Sequence, residues 1–272
     1  MTDMLDTVRR HYQATGLVDR LKGALAALGP EDKRLAPQQL SALDQFHTRG
    51  LAATADLARL TGIEPHMVVL DVGAGVGGPA RFLNESYGCE VIGIDLSEPF
   101  VEAARYLTDR TGQQGKVSFQ AGSALDLPFE DGRFDAVFLQ HVAMNIADRK
   151  TLYAEIRRVL KDCGRLATFD IVSNKGDPEF PVPWARTPES SYLLTADATR
   201  EAIERAGFVA LSIQDDTEVA KTWLTQMRAS GPPPSPNLGV VMGPDTPQLI
   251  TNLGKSLLQD RVGVLTAVFA AA

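Results

Sequence analysis

The chain has 272 residues, 44% of them hydrophobic and 22% charged, with a net charge of -7 at neutral pH. That length can bury a sizeable core, and the polarity is that of an ordinary globular chain, which excludes wholesale disorder. The acidic balance would repel phosphate backbones, so nucleic acid is not an expected partner. The longest apolar stretch, 262–272, is too short to span a bilayer, and Asp3 and Asp6 stand where a signal peptide carries positive charge. The expectation is a cytoplasmic protein with no membrane partner. Cys89 and Cys163 have neither metal-ligand spacing nor the pattern of a disulfide framework, so no metal site is expected and both thiols read as buried core residues.

In chain order, Leu21, Leu25 and Leu28 recur at helical spacing, and Leu40, Leu43 and Leu51 mark a second amphipathic stretch after Pro37. From His66 onward the pattern changes to short apolar runs separated by helices: 67–72, 90–95, 117–120, 134–140 and 165–171. Strands alternating with helices predict an α/β fold with a mainly parallel sheet covered on both faces. Ser97 is placed to cap a helix carrying Phe100, Ala104 and Leu107 on one face and ending before Gly112. Leu152, Ile156 and Val159 share a face of another helix, and Thr195 caps a third that runs to Gly207. The expected organisation is an N-terminal helical cap over residues 1–62 and a main domain over 63–272, with Pro-rich insertions at about 173–195 and 215–255. The insertions read as ordered lid segments at the substrate end of the sheet, although a plain surface loop is as good a reading of the second.

The sharpest local signal is Val68-Val69-Leu70-Asp71-Val72-Gly73-Ala74-Gly75-Val76-Gly77-Gly78, a buried strand entering a glycine-rich turn and then a helix. Gly73 allows a positive φ, Ala74 is small, Gly75 leaves room where a side chain would block a ligand, and Gly78 allows the helix to pack closely on the sheet. Asp95 ends the next strand, where a carboxylate can accept hydrogen bonds from both hydroxyls of a ribose. Gly73, Gly75 and Gly78 also satisfy the dinucleotide pattern, so the turn by itself leaves an NAD-dependent oxidoreductase open. Asp71 favours a ligand ammonium and would repel a pyrophosphate, unless it only holds the loop through backbone amides. Further on, a turn at 122–129 can clamp an adenine between Leu96 and Ala124, with Ser123 or a backbone amide at its polar edge.

Asp71-Val-Gly-Ala-Gly-Val-Gly-Gly, Asp95-Leu-Ser, Gly122-Ser-Ala-Leu-Asp-Leu-Pro-Phe, Gly132-Arg-Phe-Asp-Ala-Val and Arg158-Val-Leu-Lys-Asp-Cys-Gly-Arg-Leu resemble, in order, the successive motifs of class I S-adenosylmethionine-dependent methyltransferases. The resemblance spans about residues 65 to 172 and implies a Rossmann-like seven-stranded sheet whose last strand, 262–270, is antiparallel. It implies S-adenosyl-L-methionine as cofactor and a small-molecule methyl acceptor as partner, in a chain that is free to be a homo-oligomer. Leu43-Asp44-Gln45-Phe46-His47-Thr48-Arg49-Gly50-Leu51 is similar to the segment before the first strand in sarcosine/dimethylglycine and phosphoethanolamine N-methyltransferases. That likeness implies that His47, Thr48 and Gly50 lie along the cofactor and that the acceptor is an amine, with O- or C-methylation as alternatives.

Open α/β sheets bind ligands at their carboxyl ends, which places Gln140 near the cofactor and His141 near the acceptor, as general base or as a group that orients substrate. The phosphoethanolamine enzymes carry a histidine close to where Asn145 stands, so Asn145 is an acceptor-side residue that counts against a phosphobase. Tyr12, Trp184 and Tyr192 are candidate walls of the acceptor pocket, where aromatic faces attract a cationic ammonium. Arg49 and Arg186 are candidate partners for a substrate carboxylate.

Overall fold

The computed structural model describes residues 16–231 and 236–272. Seven strands form one sheet in the order β3-β2-β1-β4-β5-β7-β6. They are β1 (Val68–Val72), β2 (Glu90–Asp95), β3 (Val117–Ala121), β4 (Phe134–Gln140), β5 (Leu160–Ser173), β6 (Phe208–Asp215) and β7 (Val262–Ala271). The first five are mutually parallel, and β7 runs antiparallel between β5 and β6. The strands at the centre are apolar on both faces because helices cover both, as their near-continuous Val, Ile and Leu runs require. The strand order reverses between β1 and β4, and at such a switch point the loops leaving the carboxyl ends diverge and open a crevice.

Ten α-helices accompany the sheet among the described residues. α1 (Leu17–Leu25) and α2 (Ser41–Asp44) precede α3 (Leu51–Thr61) in the cap. α4 (Gly78–Tyr87), α5 (Glu98–Thr111) and α6 (Arg149–Val159) connect the parallel strands, and α7 (Ala196–Glu204) precedes β6. Leu21 and Leu25 are buried as their spacing predicts, and Pro37 opens a short 3₁₀ turn at a position where its missing N–H is no loss. Thr195 caps α7 by accepting from the Ala198 amide, and Gly112 closes α5 in a left-handed conformation. No described helix is long and apolar enough to cross a membrane.

Three expectations need correction, and at one stretch the structure bears on two readings left open. β5 begins at Leu160, well before Arg165, because its pairing with β4 shifts from Phe134–Leu160 to Ala136–Arg165 and the intervening residues loop out. Cys163 sits in that loop with φ 62° and is exposed, while Cys89 is buried. The stretch 215–255 is not a plain loop: it carries α8 (Thr217–Ala229), α9 (Gly239–Met242) and α10 (Thr246–Leu258). Gly78 makes room for the cap and not for the sheet, since a Cβ there would collide with the backbone carbonyl of Asp44.

That approach is fixed by a buried ion pair. The Arg81 guanidinium on α4 donates to Asp44 Oδ2 at 2.8 Å and to the Val76 carbonyl at 2.8 Å, with further contacts to Ala104 O and Thr108 Oγ1. Both side chains are almost wholly buried, 0% and 2% exposed, and burial pushes the Asp44 carboxyl above its ordinary range against the pull of Arg81. The cap is therefore clamped to the first helix after the glycine turn.

Candidate active site

A cleft opens at the carboxyl ends of β1, β2 and β4, with about 1210 Å³ of space counting its open mouth. Gly73 and Gly75 form one wall, both with positive φ, 72° and 55°. Asp95, Leu96, Ser123 and Ala124 line the adjoining part, and Gln140, His141, Asn145 and Trp184 the far part. Those ten of the expected residues come together. Asp71, Ala74, His47, Thr48, Gly50 and Tyr192 are outside the lining, and Tyr12 lies outside the described residues.

Four amides of the glycine turn are satisfied within the protein. Gly73 N and Ala74 N donate to the Ile94 carbonyl at 2.8 and 3.1 Å, Gly77 N to Ala74 O at 2.8 Å, and Gly75 N to Asp95 Oδ2 at 2.8 Å. Asp95 Oδ1 accepts from Ser97 N at 2.9 Å, so this carboxylate ties the turn to the start of α5. Burial raises the Asp95 pKa and these amide bonds oppose the rise. Asp71 lacks such compensation. Its Oδ2 is buried without a hydrogen-bond partner, and burial together with the neighbouring Asp95 charge lifts its pKa to about 7. The Ser123 hydroxyl accepts from Leu125 N at 3.1 Å and so stabilises the turn after β3.

His47 does not reach the lining. It packs behind Gln140, because the residue of its segment that faces the cleft is Phe46, whose ring meets Phe100 edge-on at 5.8 Å. Gln140 Nε2 lies 3.2 Å from both His47 Nε2 and Thr54 Oγ1, and Thr54 Oγ1 donates to Gln45 Oε1 at 3.2 Å. His47 Nδ1 is 3.3 Å from Thr48 O, which fixes the proton on Nδ1 and leaves Nε2 to accept from Gln140. Burial lowers the His47 pKa to about 4, so this relay is uncharged at neutral pH. Gln140 Oε1 and His141 Nε2 are buried and have no partner.

His141 occupies a left-handed conformation, φ 54°, and its ring stacks on Phe169 at 5.3 Å. Burial, reinforced by His47, holds its pKa well below the ordinary imidazole value. Beneath it, Asp170 accepts from the Ile171 amide at 3.1 Å and from the amides of Ala143 and Met144, anchoring the loop after β4. Trp184 is 4% exposed and pinned by its Nε1 to Ser191 Oγ at 2.9 Å. Tyr192 contributes backbone instead: its N–H donates to Met144 O, and its carbonyl accepts from Arg149. Arg49 bonds Asp56 and Asp216, and Arg186 bonds Asp245, so both are engaged by carboxylates of the chain itself. Sequence reasoning missed Phe46, Phe100, Met144, Ile146, Pro183 and Met242 as wall residues.

The profile of a methyltransferase domain family matches residues 70–168, from the middle of β1 into β5. Over those residues the chain is similar to a methyltransferase domain. They supply the glycine turn, Asp95, the 122–129 turn and the loop after β4, while the cap and the segments after β5 add Phe46, Trp184 and Met242 to the cleft.

The chain is 36% identical over 152 residues to the O-methyltransferase cnsE of Penicillium expansum, covering 55% of each protein. It is 36% identical over 122 residues to a glycine/sarcosine/dimethylglycine N-methyltransferase of Actinopolyspora halophila, covering 44% of this chain and 22% of that one. The chain thus spans about half the length, or less, of these curated relatives. Among solved structures, the geranyl diphosphate C-methyltransferase of Streptomyces coelicolor, in complex with Mg2+, a substrate analogue and S-adenosyl-L-homocysteine, superimposes with a TM-score of 0.72 at 18% identity, covering 99% of this chain and 98% of that one. The described residues share the fold of that structure.

Proposed function

We propose that this protein transfers a methyl group from S-adenosyl-L-methionine to a small-molecule acceptor held in the cleft. The observation that carries the reading is the pairing of closed and open polar groups at the glycine turn. The amides of Gly73, Ala74, Gly75 and Gly77 already have acceptors, whereas the Asp71 carboxylate has an oxygen without a donor. A diphosphate needs free amides there, and an amino-acid ammonium needs a free carboxylate. An NAD-dependent oxidoreductase therefore fits this turn poorly.

In this reading Gly73, Ala74 and Gly75 shape the turn, Asp95 holds the ribose, and Leu96, Ser123 and Ala124 flank the adenine. His47, Thr48 and Gly50 support the cofactor wall from behind Gln140. Asn145, Trp184 and Tyr192 belong to the acceptor side, Tyr192 through its backbone. The cofactor, once bound, supplies an electrophilic methyl on a sulfonium. The residues of the cleft align the partners and exclude water, and alignment alone is worth roughly 7–11 kcal/mol in well-oriented reactions. For an amine acceptor, the acceptor class implied by the sequence resemblance, the apolar walls disfavour the ammonium form and so yield the free base without a dedicated side chain. For a hydroxyl, we assign the proton to His141 Nε2, which has no partner within the protein.

Titration calorimetry with S-adenosylhomocysteine and with NAD tests the reading; heat from NAD alone would refute it. The affinity for S-adenosylhomocysteine is expected to fall as pH drops from 7.5 to 5.5, approaching tenfold per unit below about 7, because ligand binding requires ionised Asp71. The sign follows from the raised pKa. In the free protein, the stability tied to Asp71 is fully present below about pH 4 and lost as pH rises through about 7, and the ligand ammonium reverses that loss. Asp71→Asn should bind weakly and without this slope. His141→Ala should lower kcat by about 10²–10⁴-fold if the imidazole serves as base, with little change in S-adenosylhomocysteine affinity. At saturating cofactor, where the Asp71 titration no longer limits binding, the wild-type kcat profile should show no inflection near 6.5 from His141, since burial keeps it neutral there.

A further inference from the structure

We infer that the acceptor is an uncharged molecule with an apolar body and one N–H or O–H donor, and that neither a carboxylate nor a phosphate ester is accepted. This rests on the methyl-transfer reading for which end of the cleft the acceptor occupies.

The charge argument comes first. Asp95 is the one charged side chain lining the cleft among the described residues, and it is acidic. Among the described residues, three arginines on the segments that build the cleft are engaged within the chain. Arg149, behind Ile146, donates to the carbonyls of Ile146 and Tyr192 and to Tyr153 Oη, Arg81 pairs with Asp44, and Arg49 pairs with Asp56 and Asp216. An amino-acid acceptor reacts only after its ammonium has lost a proton, so its carboxylate would enter with no internal counter-charge. Moving that anion into a wall of Phe46, Leu125, Ile146, Pro183, Trp184 and Met242 without a cationic side chain to pair with carries a penalty of the kind that disfavours unpaired buried charges.

The donor requirement comes from the hydrogen-bond relay. Because Gln140 Nε2 donates to His47, a flipped amide would set its oxygen against the imidazole lone pair, and in the orientation held Oε1 is left as an acceptor with no donor. His141 Nε2, on the next residue, is likewise unpartnered. Both residues line the cleft. Buried polar atoms of this kind are normally satisfied, and a site so built rejects analogues that leave them unpaired. The relay of Gln45, Thr54 and His47 therefore acts as a positioning device for Gln140.

The test uses the full chain loaded with S-adenosylhomocysteine, titrated calorimetrically with 2-naphthol, 2-methoxynaphthalene, sarcosine and phosphoethanolamine. Binding of S-adenosylhomocysteine in the first step separates failure of this inference from failure of the methyl-transfer reading. The expected result is heat from 2-naphthol, at least about tenfold weaker binding of its methyl ether, and none from sarcosine or phosphoethanolamine. In Gln140→Leu the ratio between naphthol and ether should collapse towards one, a comparison made within one variant and so insensitive to a general loss of stability. Sarcosine or phosphoethanolamine binding as tightly as 2-naphthol, silence of both naphthalenes, or an unchanged ratio in Gln140→Leu would each overturn the inference.

Discussion

Arg81→Ala is expected to lower the free energy of unfolding by about 3–5 kcal/mol, the scale seen when one partner of a buried ion pair is removed. The guanidinium is fully buried, and its loss leaves Asp44 buried without a counter-charge and the Val76 carbonyl without its donor. The deficit should grow between pH 5 and pH 8. Burial already raises the Asp44 pKa with Arg81 present, and without Arg81 it rises further. The stability tied to a raised carboxyl pKa is present at low pH and is lost as pH rises through the folded value, so the variant loses more than the wild type across that interval. Asp44→Asn placed in the Arg81→Ala background should recover part of the loss, and the double-mutant cycle gives the coupling directly. Urea unfolding of the four proteins makes the measurement. A deficit below about 1 kcal/mol, or one independent of pH, would show that the pair is not what clamps the cap. The same clamp holds the segment that carries Phe46, so S-adenosylhomocysteine affinity should fall with stability.

This clamp has no signature in the sequence. Asp44 and Arg81 are 37 residues apart, and neither stands in a pattern that marks a partner. The parallel strands were different, since continuous apolar runs bounded by Gly or Asp are a local signal: 90–95 and 134–140 were read with the limits that β2 and β4 have. β5 was read too short because helix α6 passes into it at Val159–Leu160 without punctuation. β6 had gone unplaced. Its alternating Val209, Leu211 and Ile213 point outward, 56%, 56% and 43% exposed, on the edge of the sheet, and an outward apolar stripe carries no sign of which face is the core. The site divided in the same way. Its polar half, Gly73, Gly75, Asp95, Ser123, Gln140 and His141, was legible because chemistry restricts which residues can serve. Its apolar half was not, because Phe46, Ile146 and Met242 come from three distant segments and resemble ordinary core residues.

Gly75→Val should abolish cofactor binding, with S-adenosylhomocysteine affinity reduced at least about 100-fold, roughly 3 kcal/mol. Two effects combine. Gly75 holds φ 55°, a conformation that a β-branched residue adopts only at a cost of order 1–3 kcal/mol. A Cβ there would also stand 3.4 Å from the Phe46 ring, on the wall where the cofactor is proposed to lie, and the two further methyl carbons of valine would extend into the cleft. Gly75→Ala separates the two, since it carries the backbone strain with little of the bulk. If strain dominates, both variants lose stability and affinity in parallel; if occlusion dominates, as expected, alanine keeps measurable binding while valine does not. The Gly75 amide bonds Asp95 in either case, so circular dichroism and a cooperative melt should show the valine variant folded. Undiminished affinity in a folded Gly75→Val protein would mean that the cofactor does not pass this turn, and the placement of every group argued from it would fall.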